Sequence, residues 1–364
     1  MNNKIAIAHF DVTSKCNFRC AHCYAGDVTN SNSELTYDEI KTIINNLSIP
    51  GVETIAFYGG EPLMRKDIED IVGFCSSKGI ATYIVTNGYY ISNKIKALLE
   101  RGLSGVAVSI DGASEETYRK IRGINSFKLI KDNFKILSSL NVKDRVINFV
   151  MMKENIFEVT DIIDYALEVG ATRINYELLA YGGNASKYNV CNELTPEEFV
   201  QAIEKICAYA YEKNIKEELI NLDICPPKLI EFMNNKYKTK FSLTRKRQHI
   251  PLELMYINFK GTAFPCKGLC ADFNYKKSNY KIKGYDLLGG NALAAIKSEE
   301  FMKTFSELGP NVLLEKLSCC NGCKYLINYC YPCPISALSS DDGIARNCTE
   351  YPISEVCKLI NNIN

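Results

Sequence analysis

Cys16, Cys20 and Cys23 place three thiols on one short loop in the pattern Cys-x3-Cys-x2-Cys. Three thiolates are one too few for a closed tetrahedral zinc site, but they suit a cubane iron–sulfur cluster that keeps one iron open to an outside ligand. Further along, Gly59-Gly60-Glu61-Pro62 combines backbone able to approach a small molecule closely with a carboxylate able to accept from an ammonium group. Thr86-Asn87-Gly88 and Asp111-Gly112 are further polar stretches placed directly after apolar runs. A second dense group of cysteines closes the chain: Cys319, Cys320, Cys323, Cys330, Cys333, Cys348 and Cys357. The doubled Cys-x2-Cys of Cys320/Cys323 and Cys330/Cys333 is also what a zinc ribbon uses.

The chain of 364 residues holds 16 cysteines, and their two clusters read as ligands, whereas Cys75 and Cys207, each alone in a helical pattern, read as buried inert thiols. Lys and Arg (43) balance Asp and Glu (42), so no overall field steers the chain to nucleic acid or an anionic membrane. Apolar runs such as 80–85 and 105–110 fall far short of the roughly 18–20 residues of a spanning helix. No signal or transit segment is legible at Met1-Asn2-Asn3-Lys4, and the chain is read as cytosolic.

Six β-branched runs alternate with helical patterns up to about residue 180: 5–12, 53–58, 81–85, 105–110, 146–151 and 173–178. Right-handed crossovers would curl them into a partial (β/α)6 barrel of α/β class, with functional groups at the C-terminal ends of the strands. Helices are expected over 66–76, 92–101, 127–139 and 157–169, and after Thr36, which has Glu39 three positions on. Residues 1–180 are thus the barrel, 181–253 a helical bridge with a Gly182-Gly183 turn and a helix over 195–211, and 254–364 a cysteine-rich extension. That extension opens with a strand pair closed through Lys260-Gly261, followed by a helix near 291–308. The basic stretch 236–247 is read as a solvated face.

The loop Cys16-Asn-Phe-Arg-Cys20-Ala-His-Cys23-Tyr, followed by Gly59-Gly60-Glu61-Pro62, resembles the radical S-adenosylmethionine (SAM) superfamily over about residues 5–180. The resemblance implies a [4Fe–4S] cluster on Cys16, Cys20 and Cys23, with the amino and carboxylate groups of SAM on its fourth iron. It further implies that Gly59, Gly60 and Glu61 hold the SAM ammonium, that Thr86 and Asn87 line the nucleotide, and that Ser109 with Arg122 meets ribose or carboxylate oxygens. His22 is expected to pack beside the cluster, and a zinc knuckle with His22 as fourth ligand is the competing account of the triplet.

Gly261-Thr-Ala-Phe-Pro-Cys266, Leu288-Gly289-Gly290-Asn291 and the terminal cysteines resemble the SPASM extension of radical SAM enzymes. That resemblance implies one or two auxiliary clusters, one on Cys320, Cys323, Cys330 and Cys348, the other taking Cys266 and Cys333. The family usually spaces the inner ligands by five and then three residues, whereas the spacing here is six and two. It also usually has a cysteine shortly before the glycine matching Gly261, where this chain has His249, so Cys225, Cys270, His249 or an open iron completes the inner cluster. Cys319 and Cys357 look like spares.

The implied reaction is reductive cleavage of SAM by an external donor of flavodoxin or ferredoxin type, hydrogen-atom abstraction by a 5′-deoxyadenosyl radical, and an oxidative outcome. Relatives with SPASM tails favour a peptide substrate, with thioether or carbon–carbon crosslinking of a ribosomally made peptide. The alternatives are a sulfatase-maturing type of Ser/Cys oxidase, a tetrapyrrole or small-molecule dehydrogenase, or a peptide epimerase using Cys191 or Cys225 as hydrogen donor. Outside enzymes stands an iron–sulfur electron-transfer protein, which would have no use for an ammonium site at Glu61.

Overall fold

The computed structural model describes residues 6–49, 51–180, 182–187, 194–243, 254–270 and 282–308, with positions 324, 356–357 and 359–360. The first half alternates as the sequence indicates: β1 (Ile7–Thr13), α1 (Tyr37–Ser48), β2 (Thr54–Gly59), α2 (Ile68–Ser77), β3 (Ala81–Thr86), α3 (Ile91–Glu100) and β4 (Leu103–Ser109). Then come α4 (Glu115–Arg122), α5 (Phe127–Ser139), β5 (Asp144–Met151), α6 (Asp161–Val169) and β6 (Arg173–Leu178). The remainder comprises α7 (Gly183–Lys187), α8 (Pro196–Glu212), β7 (Ile220–Asn221), α9 (Pro227–Tyr237), β8 (Leu254–Ile257), β9 (Thr262–Phe264), β10 (Tyr285–Asp286), α10 (Ala292–Lys297) and α11 (Glu299–Leu308).

Among the described residues, ten strands form one sheet in the order β10-β9-β8-β1-β2-β3-β4-β5-β6-β7. From β8 to β7 every pairing is parallel; only the β8–β9 and β9–β10 pairings are antiparallel. The six expected strands of the partial barrel stand side by side as β1 to β6, and the sheet continues past them into β7 at one edge and β8, β9 and β10 at the other. Strand β8, at the start of the expected extension, pairs with β1 and carries the sheet on into β9 and β10.

Strand alternation sorts the side chains between two faces. Phe10, Phe57, Ile84, Ile147 and Ile174 point outward and are buried under the helices. Helix α1 shows how that cover is built. Thr36 and Glu39 close a reciprocal capping box, and Ile40, Ile43, Ile44 and Leu47 recur on one buried stripe. Each such side chain contributes about 1.5–3 kcal/mol on burial. The inner face is different in kind: Asp11 lies beside Tyr58, His9 beside Tyr256, and Ser109, Asn148, Asn175 and Asn221 succeed one another across β4 to β7. Tyr58, Ser109 and Asn175 are half-buried and Glu177 is exposed, so the concave side is a polar lumen.

Several elements depart from the sequence reading. Helix α4 was not expected, since only Tyr118 and Ile121 among its eight residues are large and apolar; its ends are set instead by the Ser114 cap and left-handed Gly123. Helix α9, capped by consecutive prolines, and the short β7 were read as bridge. The single helix expected near 291–308 is two, broken at Ser298, whose backbone is extended.

Candidate active site

The cysteine loop leaves the C-terminal end of β1 and is clamped from three directions. Asn30, in the left-handed region at φ 63°, accepts the Cys16 N–H on its side-chain oxygen at 3.1 Å. The Ala21 N–H donates to the Ile121 carbonyl of α4 at 2.9 Å. At the start of α7, the Asn184 N–H donates to the Cys23 carbonyl at 2.9 Å and its side-chain amide to the Cys20 carbonyl at 3.0 Å. A Cβ on Gly183 (φ 54°) would lie 2.5 Å from the Tyr24 carbonyl oxygen, so the Gly-Gly turn read as part of a bridge seats the cysteine loop.

Two of the three sulfurs are offered an N–H donor: Phe18 N reaches Cys16 Sγ at 3.4 Å, and Arg122 Nη1 reaches Cys20 Sγ at 3.6 Å. Such donors favour thiolates, yet burial pushes the free Cys16 thiol up to about 11 and Cys23 up to about 12, and raises Cys20 against the pull of Arg122. A thiolate-lined pocket that is costly without a bound cation is what a cluster site requires, and the donor set fits an iron–sulfur cluster. A zinc knuckle fits less well. His22 is turned onto Asp111, with Nε2 3.2 Å from Oδ2.

The remaining expected site residues of the barrel are brought together here. A Cβ on Gly59 or Gly60 would lie 2.2 Å from the carbonyl oxygen of Thr13 or Lys15. These glycines therefore serve the close crossing of β2 under the cysteine loop, with Gly60 N–H donating to Thr13 and Glu61 N–H to Lys15. Glu61, expected to accept from an ammonium, is fully buried and accepts from Thr86 Oγ1 at 2.7 Å, Asn87 N–H at 2.7 Å and Leu63 N–H at 3.0 Å. Burial nonetheless pushes its carboxyl up to about 7. Thr86 and Asn87 thus tie the end of β3 to Glu61, and Asn87 Nδ2 bridges to Asn17 of the cysteine loop at 2.9 Å. Ser109 lies half-buried on the lumen wall. Arg122, expected at ribose or carboxylate oxygens, lies with Nη1 3.6 Å from Cys20 Sγ and Nη2 2.7 Å from Asp111 Oδ2.

Residues 10–166 match the Radical SAM superfamily model. The chain carries a radical SAM domain. Among curated relatives it is 34% identical over 228 residues to the Fe-coproporphyrin III synthase of Methanosarcina barkeri, covering 61% of this chain and 56% of that protein. Among solved structures it resembles Streptococcus suis SuiB bound to its precursor peptide SuiA, with TM-score 0.64, 14% identity, and coverage of 83% of this chain and 66% of that one. It also resembles anSMEcpe with bound AdoMet, with TM-score 0.69, 16% identity, and coverage of 98% and 95%. At these identities the structural likeness is one of fold. Enzymes of the radical SAM superfamily use a [4Fe–4S] cluster and SAM.

The auxiliary ligands divide. Cys266 caps the turn of 267–269, and Cys270 is fully buried in a cluster that also touches Cys23 and Tyr24. Cys225 packs in the main core among Leu222 and Ile224. Cys191, His249, Cys319, Cys320, Cys323, Cys330, Cys333 and Cys348 lie outside the described residues.

The sequence reading missed the group that joins these two regions. Lys267 Nζ lies 3.2 Å from Asp11 Oδ1, contacts the Tyr24 hydroxyl, and sits 3.9 Å from the Tyr24 ring centre and 4.9 Å from that of Tyr256. The Tyr256 hydroxyl donates to Asp11 Oδ2 at 2.7 Å. Burial lowers the Lys267 ammonium from its usual value, against the pull of Asp11. The one available signal was Asp11 itself, a carboxylate inside an apolar strand.

Proposed function

We propose that this protein is a radical SAM oxidoreductase that oxidises a peptide substrate in the barrel lumen, with auxiliary iron–sulfur clusters in a SPASM-type extension. The observation that carries the radical SAM reading is the loop of three thiols at the C-terminal end of β1, with N–H donors on the Cys16 and Cys20 sulfurs, at the mouth of a polar lumen. When bound, the cluster and SAM supply a 5′-deoxyadenosyl radical that removes a hydrogen atom from substrate. Glu61 and Asn87 hold the ends of β2 and β3 against the loop, so the face on which SAM would lie is set before it binds. Helices cover the outer face of the sheet, while the lumen face offers amide and hydroxyl groups.

The peptide reading is supported by the fold likeness to SuiB, seen with its precursor peptide, and by a wall of carboxamides that can pair with peptide groups. Cys266 and Cys270, packed together within reach of Cys23, favour Cys270 over Cys225 as the inner auxiliary ligand, which would place an electron acceptor next to the SAM site. The similarity to Fe-coproporphyrin III synthase favours a second reading, oxidation of a tetrapyrrole.

Anaerobically reconstituted protein with dithionite is expected to convert SAM to 5′-deoxyadenosine, and Cys16→Ala, Cys20→Ala or Cys23→Ala to abolish this. Product persisting in the triple alanine variant would sink the assignment. Stimulation by a short peptide encoded beside its gene supports the first substrate reading, and stimulation by iron-coproporphyrin III selects the second.

A further inference from the structure

Resting on the assignment of Cys16, Cys20 and Cys23 as cluster ligands, we propose that Arg122 and Asp111 form an opposed pair of fixed charges that tunes the reduction potential of the cluster through Cys20. Arg122 is 7% exposed and Asp111 fully buried, and both are locked. Arg122 ends α4, directly before left-handed Gly123, with Nη1 3.6 Å from Cys20 Sγ and Nη2 2.7 Å from Asp111 Oδ2. Asp111 Oδ1 accepts the Val150 N–H at 2.9 Å, its backbone carbonyl accepts from Asn155 Nδ2 at 3.0 Å, and His22 Nε2 stands 3.2 Å from Oδ2. Among the described residues the guanidinium Nε is buried without a hydrogen-bond partner, while Nη1 faces the Cys20 sulfur and Nη2 the Asp111 carboxylate.

The guanidinium keeps its charge at every accessible pH. Reduction of a cluster by one electron from a low-potential donor adds one negative charge next to the ligand sulfurs. A cation and an N–H donor at one of those sulfurs stabilise the reduced form and raise the potential, more strongly in a buried setting than in water. Asp111 acts in the opposite sense by offsetting part of the Arg122 charge. The observed potential is thus a balance, and its two arms respond with opposite signs.

The test is a redox titration of anaerobically reconstituted full-length protein without SAM. It is followed by electron paramagnetic resonance on the signal lost in the triple alanine variant of Cys16, Cys20 and Cys23. Arg122→Met is expected to shift the midpoint downward, Asp111→Asn upward, and Arg122→Lys to lie between wild type and Arg122→Met. An unmoved midpoint in Arg122→Met, or shifts of one sign in Arg122→Met and Asp111→Asn, would overturn the charge pair. So would weakened SAM binding in Arg122→Met at a wild-type midpoint, which would return Arg122 to the SAM carboxylate. Where Arg122→Met does not hold iron, Asp111→Asn and Arg122→Lys decide by the same signs. Wild-type protein whose iron content is indifferent to the three cysteines would overturn the functional reading as well, whereas normal iron with unmoved midpoints overturns the charge pair alone.

Discussion

Asn184 holds Cys20: its side-chain amide donates to the Cys20 carbonyl at 3.0 Å across a sequence separation of 164 residues. Its own N–H takes the Cys23 carbonyl, so a single residue fixes two of the three thiol-bearing positions. Asn184→Ala leaves the Cys20 carbonyl without this donor and is expected to cost about 1–3 kcal/mol locally. Gly183→Ala adds strain, since the new Cβ meets the Tyr24 carbonyl in a left-handed conformation. Both variants should bind less iron on reconstitution than wild type, with Gly183→Ala the worse. Iron and sulfide analysis checks this, and full iron content in Gly183→Ala would contradict it.

Glu61 makes apo-protein stability pH-dependent in an unusual direction. Its folded carboxyl is raised to about 7 from the ordinary 4.5, so between these values the native state holds the proton and the unfolded chain does not. Stability therefore falls as pH rises from about 4.5 to about 7, by an amount on the order of 3 kcal/mol for a shift of this size. Glu61→Gln should flatten that slope. It should also lower stability by about 1–3 kcal/mol, because an amide nitrogen would face the Asn87 or Leu63 N–H donors. Urea unfolding across this pH range reads both effects.

Lys267 and Asp11 compensate each other. Lys267→Met leaves the buried Asp11 carboxylate with the Tyr256 hydroxyl but no cation. We expect it to destabilise by about 1–3 kcal/mol, less than a fully buried pair would because the lysine side chain is 24% exposed. The Asp11→Asn/Lys267→Met double variant should recover part of that loss. A double-mutant cycle with no coupling would show the two groups to be independent.

Cys270 and Cys225 should separate on iron content. Cys270 packs with Cys266 beside Cys23, while Cys225 belongs to the main apolar core. Cys270→Ala is expected to lose iron without losing SAM cleavage, and Cys225→Ala to keep its iron. The reverse order would move the auxiliary cluster to the Cys225 side.

The strand–helix alternation and the thiol triplet were legible because they depend on local periodicity and spacing. Helix α5 (Phe127–Ser139) and strand β6 (Arg173–Leu178) fall where the sequence reading put them, and the Thr36/Glu39 cap is local by nature. Helix α4 escaped because capping, not an apolar stripe, defines it. What the sequence by itself determined is the set of reactive groups and the order in which strand ends present them. Tertiary structure decided which partner each group meets. Arg122 lands on Cys20 and Asp111, Glu61 is bonded by Thr86 and Asn87, Gly59 and Gly60 serve a backbone crossing, and Lys267 enters the lumen beside Asp11. The physical reason is that such pairings join residues far apart in the chain, and parallel sheet register, which no local pattern encodes, brings them within hydrogen-bonding distance.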